Sequence, residues 1–109
     1  MKHNIELFKR KAHLCKAFAD PKRLIIIDEL RHGEKTVGEL ALALEIPQAV
    51  TSRHLAILRE RGVVKFRREN NNVFYQLSNP RICEACDIVH QVLLEEMEKN
   101  KAAVELLVA

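Results

Sequence analysis

The feature that most limits the fold of this 109-residue chain is a break in a helical pattern at residues 45–47. Residues 36–44, TVGELALAL, and residues 47–61, PQAVTSRHLAILRER, each place apolar side chains at the spacing typical of a helix. Pro47 disfavours helical geometry at Ile46, so one helix ends and another begins there. Two short helices joined by a tight turn, the second with a basic polar face, predict a helix-turn-helix motif.

The ends of both helices carry their own signals. Thr36 precedes Glu39 by three residues, which predicts a capping box at the start of the first helix. Gly62 supplies a stop for the second helix. The apolar pattern of the second helix leaves open whether His54 or Leu55 points inward, so the position of its exposed face is undecided by one residue.

Two further helices are predicted before this motif. Residues 4–19 place apolar side chains on one face of an amphipathic helix. Asp20 followed by Pro21 then starts another helix, because the carboxylate suits the cap position and proline suits the first helical position. That helix ends near Gly33. Its block LIII, residues 24–27, is too apolar for a surface face, so we expect this helix at the centre of the core.

The pattern changes to strands after the motif. VVKFRR, residues 63–68, and VFYQL, residues 73–77, are rich in β-branched and aromatic residues. They bracket ENNN, residues 69–72, and asparagine tolerates the left-handed conformation of a tight hairpin tip. A last helix is predicted from residue 80 to about residue 107. The second half of the chain therefore reads as a hairpin followed by a long helix.

Length and composition predict a single domain over residues 1–109. A content of 48% apolar and 30% charged residues is ordinary for a helix-rich globular protein. No apolar run approaches the roughly 18 residues of a membrane span, and the N-terminus lacks a signal-peptide core, so we expect a cytoplasmic protein. Three cysteines favour free thiols over a disulfide framework. A net charge of +3 favours acidic partners.

Four helices, two strands and a last helix form a mainly α fold with a small β-hairpin (α+β), in the order of a winged helix-turn-helix. One helix of this motif fits the major groove of DNA, where glutamine can read adenine and arginine can read guanine, while basic hairpin residues hold phosphates. The alternative is that these basic residues form only a solvated face. The predicted contacts to double-stranded DNA are Gln48, Ala49, Thr51, Ser52, Arg53 and His54 in the helix and Lys65, Arg67, Arg68 and Asn71 in the hairpin.

The segments FADPKRLIIIDEL, TVGELALAL, QAVTSRHLAILRERGVV and RRENNNVFYQL together resemble the ArsR/SmtB family of dimeric winged-helix repressors. The likeness covers residues 12–95. It implies a homodimer joined through the first and last helices that binds an inverted-repeat operator and lets go when an inducer binds or cysteines change redox state. Pro47 stands where relatives usually have a capping serine, which removes a bond typically worth about 1 kcal/mol. The asparagine-rich hairpin tip also departs from the glycine common there.

Thiols on the last helix are the candidate sensors. Cys83 and Cys86 lie one helical turn apart, and His90 continues that face. Thiolates favour soft ions such as Zn²⁺, Cd²⁺, Cu⁺ and As(III), and Cys83 stands near the helix start, where the dipole lowers a thiol pKa. Cys15 could add a third thiolate if the first and last helices meet. The alternative is that the cysteines pack as small apolar residues.

The resemblance also indicates which known sensor sites are missing. The family's ligand positions fall at Thr36 and Gly38, at Asn79, Arg81, Val92 and Glu95, and at Asp28 and about Leu94. None of these sets is a plausible site, so Cys83, Cys86 and Cys15 are the thiols that remain. We therefore expect a repressor that needs no cofactor to bind DNA and that As(III) or a soft metal releases. A regulator whose cysteines sense oxidation or only pack is the alternative, and an enzyme is not expected.

Overall fold

The computed structural model of the protein describes residues 3–108. The elements follow in the order α1 (Ile5–Cys15), α2 (Pro21–Glu29), β1 (Lys35–Thr36), α3 (Val37–Leu44), α4 (Gln48–Glu60), β2 (Val64–Glu69), β3 (Asn72–Leu77) and α5 (Ile82–Val108). Short 3₁₀ turns follow α1, at Lys16–Phe18, and α2, at Leu30–His32. The predicted class, mainly helical with a small sheet, is confirmed.

The predicted start signals of α2 and α3 are confirmed by their hydrogen bonds. Asp20 caps α2, where its carboxylate accepts the N–H of Lys22 at 2.8 Å. The Thr36 hydroxyl accepts the Glu39 N–H at 3.2 Å, and the Glu39 carboxylate accepts the Thr36 N–H at 3.1 Å. These bonds satisfy backbone donors that a helix start leaves free, so the first turn of each helix is held locally.

The turn between α3 and α4 depends on an unusual backbone conformation. Glu45 caps the end of α3 in the left-handed region, with φ 56° and ψ 43°. Pro47 precedes α4 and provides no side-chain cap, as the sequence indicated. The hydroxyl of Thr51 donates instead to the Pro47 carbonyl at 3.1 Å, one turn into the helix. This bond ties the first turn of α4 to the residue where the chain changes direction.

The sheet has three strands rather than the predicted two. β1, which contains only Lys35 and Thr36, pairs antiparallel with β3, and the strand order is β1-β3-β2. Asn70 and Asn71 form the hairpin tip with φ values of 48° and 67°, the pair of positive φ angles that a two-residue hairpin turn requires. Asn72 already belongs to β3, where it pairs with Glu69. The tip is therefore shorter than the ENNN segment suggested.

Burial shows which residue of α4 points into the core, and it corrects the expectation that the LIII block of α2 is entirely buried. Leu55 is fully buried and His54 only half-buried, so Leu55 is the inward residue. In the LIII block, Ile26 and Ile27 are buried, whereas Leu24 and Ile25 are 41% and 46% exposed. Half of that block therefore faces away from the core. The core cluster consists of Ala17, Ile26, Ile27, Leu30, Leu40, Leu55, Leu58, Val63, Val64, Leu77 and Cys83.

Most of α5 extends beyond this core. Its 27 residues span about 40 Å at 1.5 Å per residue, and Cys83 is its one buried residue in the described chain. Many apolar side chains on the helix are exposed by half or more. They are Ile88, Val89, Val92, Leu93, Leu94, Met97, Val104, Leu106, Leu107 and Val108. Exposed apolar surface of this extent marks an interaction surface.

Candidate nucleic-acid interface

The exposed face of α4 is narrow and lined by small side chains. Ala49, Ser52 and Ala56 follow one another at helical spacing on this face, and Arg53 is exposed beside them. Small residues let the helix backbone approach a flat or concave partner closely. Gln48 stands at the start of the same helix, and its amide nitrogen lies 3.4 Å from the position a β-carbon would take on Gly38. The exposed face of α4 is therefore a low ridge of small side chains, with Gln48 on one side of it and Arg53 on the other.

Two of the predicted DNA contacts, Thr51 and His54, lie on the buried side of α4. Thr51 is 0% exposed, and its hydroxyl is bonded to Pro47, so it is removed from the predicted contact set. His54 is half-buried, and its Nδ1 atom is buried without a hydrogen-bond partner among residues 3–108. The inward side of its ring therefore belongs to the protein interior. Both residues share the buried side of α4 with Leu55.

On the hairpin, Arg68 is joined to α4 through an aromatic ring. The guanidinium of Arg68 lies 5.6 Å from the centre of the Phe66 ring, and that of Arg59, in the last turn of α4, lies 4.2 Å from the same centre. Both distances are within the range of cation–π attraction. The two arginines therefore form one positively charged surface that connects the helix to the hairpin.

Arg67 is held by carboxylates, which corrects its predicted role as a free phosphate contact. Its Nε and Nη2 atoms donate to both oxygens of Glu34, at 2.8 and 2.5 Å, and its Nη1 atom donates to Glu69. The guanidinium also lies 4.6 Å from the centre of the Phe74 ring. The hydrogen bonds from Arg67 hold the pKa of Glu34 below its usual value. Two negative charges thus offset the one charge of Arg67.

The remaining hairpin candidates lie apart from Arg68. Side chains alternate along a strand, so Lys65 lies on the same face as Arg67, opposite to Arg68. Asn71 is exposed at the hairpin tip. The structure therefore separates the predicted basic cluster into two faces and brings only Arg68 next to α4.

Two residues of this surface were missed from the sequence. Ala56 lies on the exposed face of α4 two turns after Ala49, but alanine carries no chemical signal of its own. Arg59 follows in the last turn, close to the hairpin. Arg59 was not predicted because it lies far from the start of α4, the part of the helix expected to contact bases. The contact with Phe66 becomes visible only when the hairpin is folded back onto the helix.

Two of the three cysteines lie at a cavity of about 670 Å³ between α1, α2 and α5. Cys15, Cys86 and His90 all line this cavity. Cys83, in contrast, is 6% exposed and belongs to the hydrophobic core. The four predicted ligands are therefore divided between two environments.

Two further observations correct the predicted thiol chemistry. Burial raises the pKa of the Cys83 thiol and also that of the Cys86 thiol, the opposite direction to the lowering that the sequence predicted for Cys83. Over residues 3–108, no group of three or more His, Cys, Asp or Glu side chains is arranged to hold a metal ion. One protomer therefore contains no preformed metal centre at these cysteines.

A charged bridge borders the same cavity and connects α5 to α2. Arg31 donates to both carboxylate oxygens of Asp87, at 2.9 and 2.7 Å. It also donates to Oδ1 of Asp28 from Nε and Nη2, at 3.1 and 2.9 Å. Hydrogen bonding to Arg31 lowers the pKa of Asp87, opposed by partial burial. Bidentate pairing of this kind fixes direction as well as distance.

An exposed helix ridge behind a tight turn, with a positively charged hairpin beside it, defines a winged helix-turn-helix DNA-binding domain. The sequence profile of the bacterial regulatory protein, arsR family, matches residues 20–65. The chain is 40% identical to the transcriptional activator HlyU of Vibrio cholerae, over 72% of this chain and 73% of that protein. It is 37% identical to the biofilm growth-associated repressor of Agrobacterium fabrum, over 74% and 69%.

Solved structures agree with these sequence matches. The structure of HlyU from Vibrio cholerae superposes with a TM-score of 0.71 at 37% identity, covering 84% of this chain and 97% of that one. A homodimeric winged helix-turn-helix domain from Mycobacterium bovis gives a TM-score of 0.78 at 28% identity, covering 91% and 95%. The chain belongs to the ArsR/SmtB family of transcriptional regulators, a family of DNA-binding proteins and not of enzymes.

None of the helices within residues 3–108 combines the length and the apolar character that a bilayer crossing requires.

The different surroundings of Arg67 and Arg68 predict different salt dependences. Replacing Arg68 by Gln should reduce the slope of log K against log [salt] by about 0.9 per protomer, because a free guanidinium displaces a counterion from DNA. Arg67→Gln removes the same charge but should change the slope by less than half as much. Fluorescence anisotropy of a labelled duplex, titrated at several salt concentrations, measures both. An equal change in the two variants would contradict the pairing of Arg67 with Glu34 and Glu69.

Proposed function

We propose that this protein is a homodimeric transcriptional repressor that binds an inverted-repeat operator through α4 and the hairpin. The observation that carries this proposal is the division of α4 into two faces. Thr51, Leu55 and Leu58 anchor one face in the core, and the opposite face is exposed and made of small and polar residues. A helix held rigidly from behind can place its side chains at base edges in a fixed register. Residues 1–109 would act as one domain, in the cytoplasm where the DNA is.

Each exposed side chain has a role that its chemistry suits. Arg53 would bond both acceptors of a guanine, and Gln48 would bond an adenine. Ser52 and Asn71 would contact phosphates or sugars, and the small surface of Ala49 would let the helix approach the bases.

Arg68, with Arg59, would hold the phosphate backbone beside the groove. His54 would contribute only through the outward edge of its ring, and Lys65 would meet DNA only where the backbone passes the other side of the hairpin.

The role of Arg53 can be tested against a phosphate-binding control. Duplexes selected from a random pool by the wild-type protein should contain two half-sites about one helical turn apart. Arg53→Ala should weaken binding to the selected sequence by roughly 1–3 kcal/mol and relax the preference at one base pair per half-site. Arg68→Ala should weaken selected and random duplexes alike. If Arg53→Ala also weakened all duplexes uniformly, Arg53 would be a phosphate contact and not a base reader.

The proposal of a homodimer is supported by the apolar surface that a single protomer leaves exposed. Ile5, Leu7 and Phe8 on α1 are exposed, as is the long apolar side of α5. The Mycobacterium bovis relative, similar over most of this chain, is described as homodimeric. Two recognition helices related by a two-fold axis would match the symmetry of an inverted repeat.

The dimer can be separated from folding by sedimentation. Replacing Ile88 and Val92 on α5 by Glu should produce a folded monomer, because two carboxylates would be buried without partners in the interface. The apolar control Ile88→Leu with Val92→Ile should remain a dimer at the same concentration. Analytical ultracentrifugation measures mass, and circular dichroism checks helix content. A glutamate variant that stays dimeric would place the interface elsewhere.

A thiophilic inducer, As(III) or a soft metal ion, is the second part of the proposal. One observation favours it: Cys15 and Cys86, from different helices, line one cavity together with His90. The inducer would therefore use these two thiols within a protomer, or combine them with ligands of the second copy, while Cys83 serves the core. The competing interpretation is a regulator whose cysteines sense oxidation or only pack, with no metal inducer.

These interpretations differ in a titration of the reduced protein on its operator. Arsenite, Zn²⁺, Cd²⁺ and Cu⁺, added separately, should include one that releases the DNA from the wild-type protein. The variant Cys15→Ser with Cys86→Ser should bind the operator but lose the release, while the packing control Cys83→Ala should keep it. Anisotropy of the labelled operator follows both. Loss of release in Cys83→Ala but not in the double variant would make Cys83 the ligand and contradict its assignment to the core. No release by any of the four would leave oxidation sensing or packing as the role of the cysteines.

A further inference from the structure

Gly38 is a glycine that its own backbone conformation does not require. It is the second residue of α3 and has a right-handed helical backbone, unlike Gly33 and Gly62, whose φ angles are positive. Glycine within a helix is less favourable than alanine, because it loses more conformational freedom on folding. The reason for a glycine at this position therefore lies in the space around the missing side chain.

That space is bounded by the end of the Gln48 side chain. A β-carbon on Gly38 would lie 3.4 Å from Nε2 of Gln48 and 3.8 Å from Oγ1 of Thr36. Gly38 and Gln48 both line a cleft of about 510 Å³ at the turn between α3 and α4. Since both distances are ordinary contact distances, alanine would fill the space, and a larger side chain would have to displace one of the two neighbours.

The two neighbours differ in their freedom to move. Thr36 is fixed by the capping box, in which its hydroxyl accepts the Glu39 N–H at 3.2 Å and its own N–H donates to the Glu39 carboxylate at 3.1 Å. Gln48 is exposed, and its amide stands at the end of a flexible side chain. A bulky residue at position 38 would therefore displace the Gln48 amide and leave the capping box intact.

We infer that Gly38 is a positioning residue for base reading: by lacking a side chain, it leaves the Gln48 amide free to lie beside α3 in the orientation that bonds adenine. This inference rests on the proposed function, in which Gln48 reads a base. A bidentate amide–adenine contact needs both hydrogen bonds in one plane, so a displaced amide loses discrimination even where the helix still binds DNA. Gly38 acts through Gln48 and does not itself need to touch DNA.

The base pair that Gln48 reads is located first. The sequence selected by the wild-type protein is compared with duplexes in which one base pair of one half-site is changed, by competition against a labelled duplex in fluorescence anisotropy. The wild-type protein should prefer one A·T pair by about 5- to 150-fold, the range that a bidentate contact gives. Gln48→Ala should reduce the preference at that pair to within about twofold and leave the preference at the Arg53 pair unchanged.

Gly38→Val then tests the positioning role, because valine adds two methyl groups at the β-carbon and is stiff at χ1. We expect the preference at the Gln48 pair to fall to within about twofold, with the preference at the Arg53 pair kept. Gly38→Ala should keep both preferences and raise the melting temperature, since alanine favours the helix. The control Ala43→Val adds the same two methyl groups at an exposed position of α3 and should keep both preferences.

The Gln48→Ala background separates positioning from a general disturbance of α3. There Gly38→Val should have no further effect on affinity or preference, because the side chain that it displaces is already absent. An equal loss of affinity on every duplex in both backgrounds would overturn the inference. Circular dichroism checks folding, and Gly38→Leu, which fills the same space with a stronger helix former, provides a second variant with the same expected result.

Failure of the inference and failure of the proposed function give different results. If Gln48→Ala left every preference unchanged, Gln48 would not read a base, and both that part of the proposed function and the inference would be refuted. If Gln48→Ala removed the preference while Gly38→Val and Gly38→Leu kept it, Gln48 would remain a base reader and only the inference would be refuted.

Discussion

The burial of one face of α4 is the interaction on which the other elements depend. Leu55 and Leu58 lie in the same core cluster as Ile26 of α2 and Leu40 of α3. Because the helix is buried along one side, its exposed ridge has a single orientation relative to the hairpin. The left-handed Glu45 sets the angle at which α4 leaves α3. A residue other than glycine in this conformation costs free energy, which the burial of α4 offsets.

The segment between α2 and α3 forms ion pairs both with α5 and with the hairpin. At one end Arg31 binds Asp87 of α5, beside the cavity, and at the other Glu34 binds Arg67 of the hairpin. Between them the chain passes through Gly33, whose φ of 140° is strained for other residues. Exposed ion pairs contribute little to stability. Their bidentate geometry instead ties the orientation of α5 and of the hairpin to the same short stretch of chain.

Local signals made the order of elements, the capping box at Thr36 and the turn at Pro47 predictable from the sequence. The residues that face DNA were harder to predict from the sequence. Thr51 has a side chain suited to contact a base, and only tertiary packing shows that it is buried. The partner of Arg67 is Glu34, 33 residues away, which no local pattern reveals. Cys83 illustrates the same limit: position on the helix suggested a reactive thiol, but burial against the core decides its pKa. Strand β1 has only two residues, too few for a periodic pattern.

The length of α5 would make the stability of this protein depend on its concentration in the dimer proposed above. An isolated protomer carries a helix of 27 residues whose apolar side chains are mostly in water, and a helix of that kind owes its stability to packing more than to its own hydrogen bonds. A newly made chain without a partner would therefore fray along α5 and offer extended backbone to cellular proteases. Pairing of two copies would bury these side chains, so the resistance of α5 to opening would rise with the concentration of the protein.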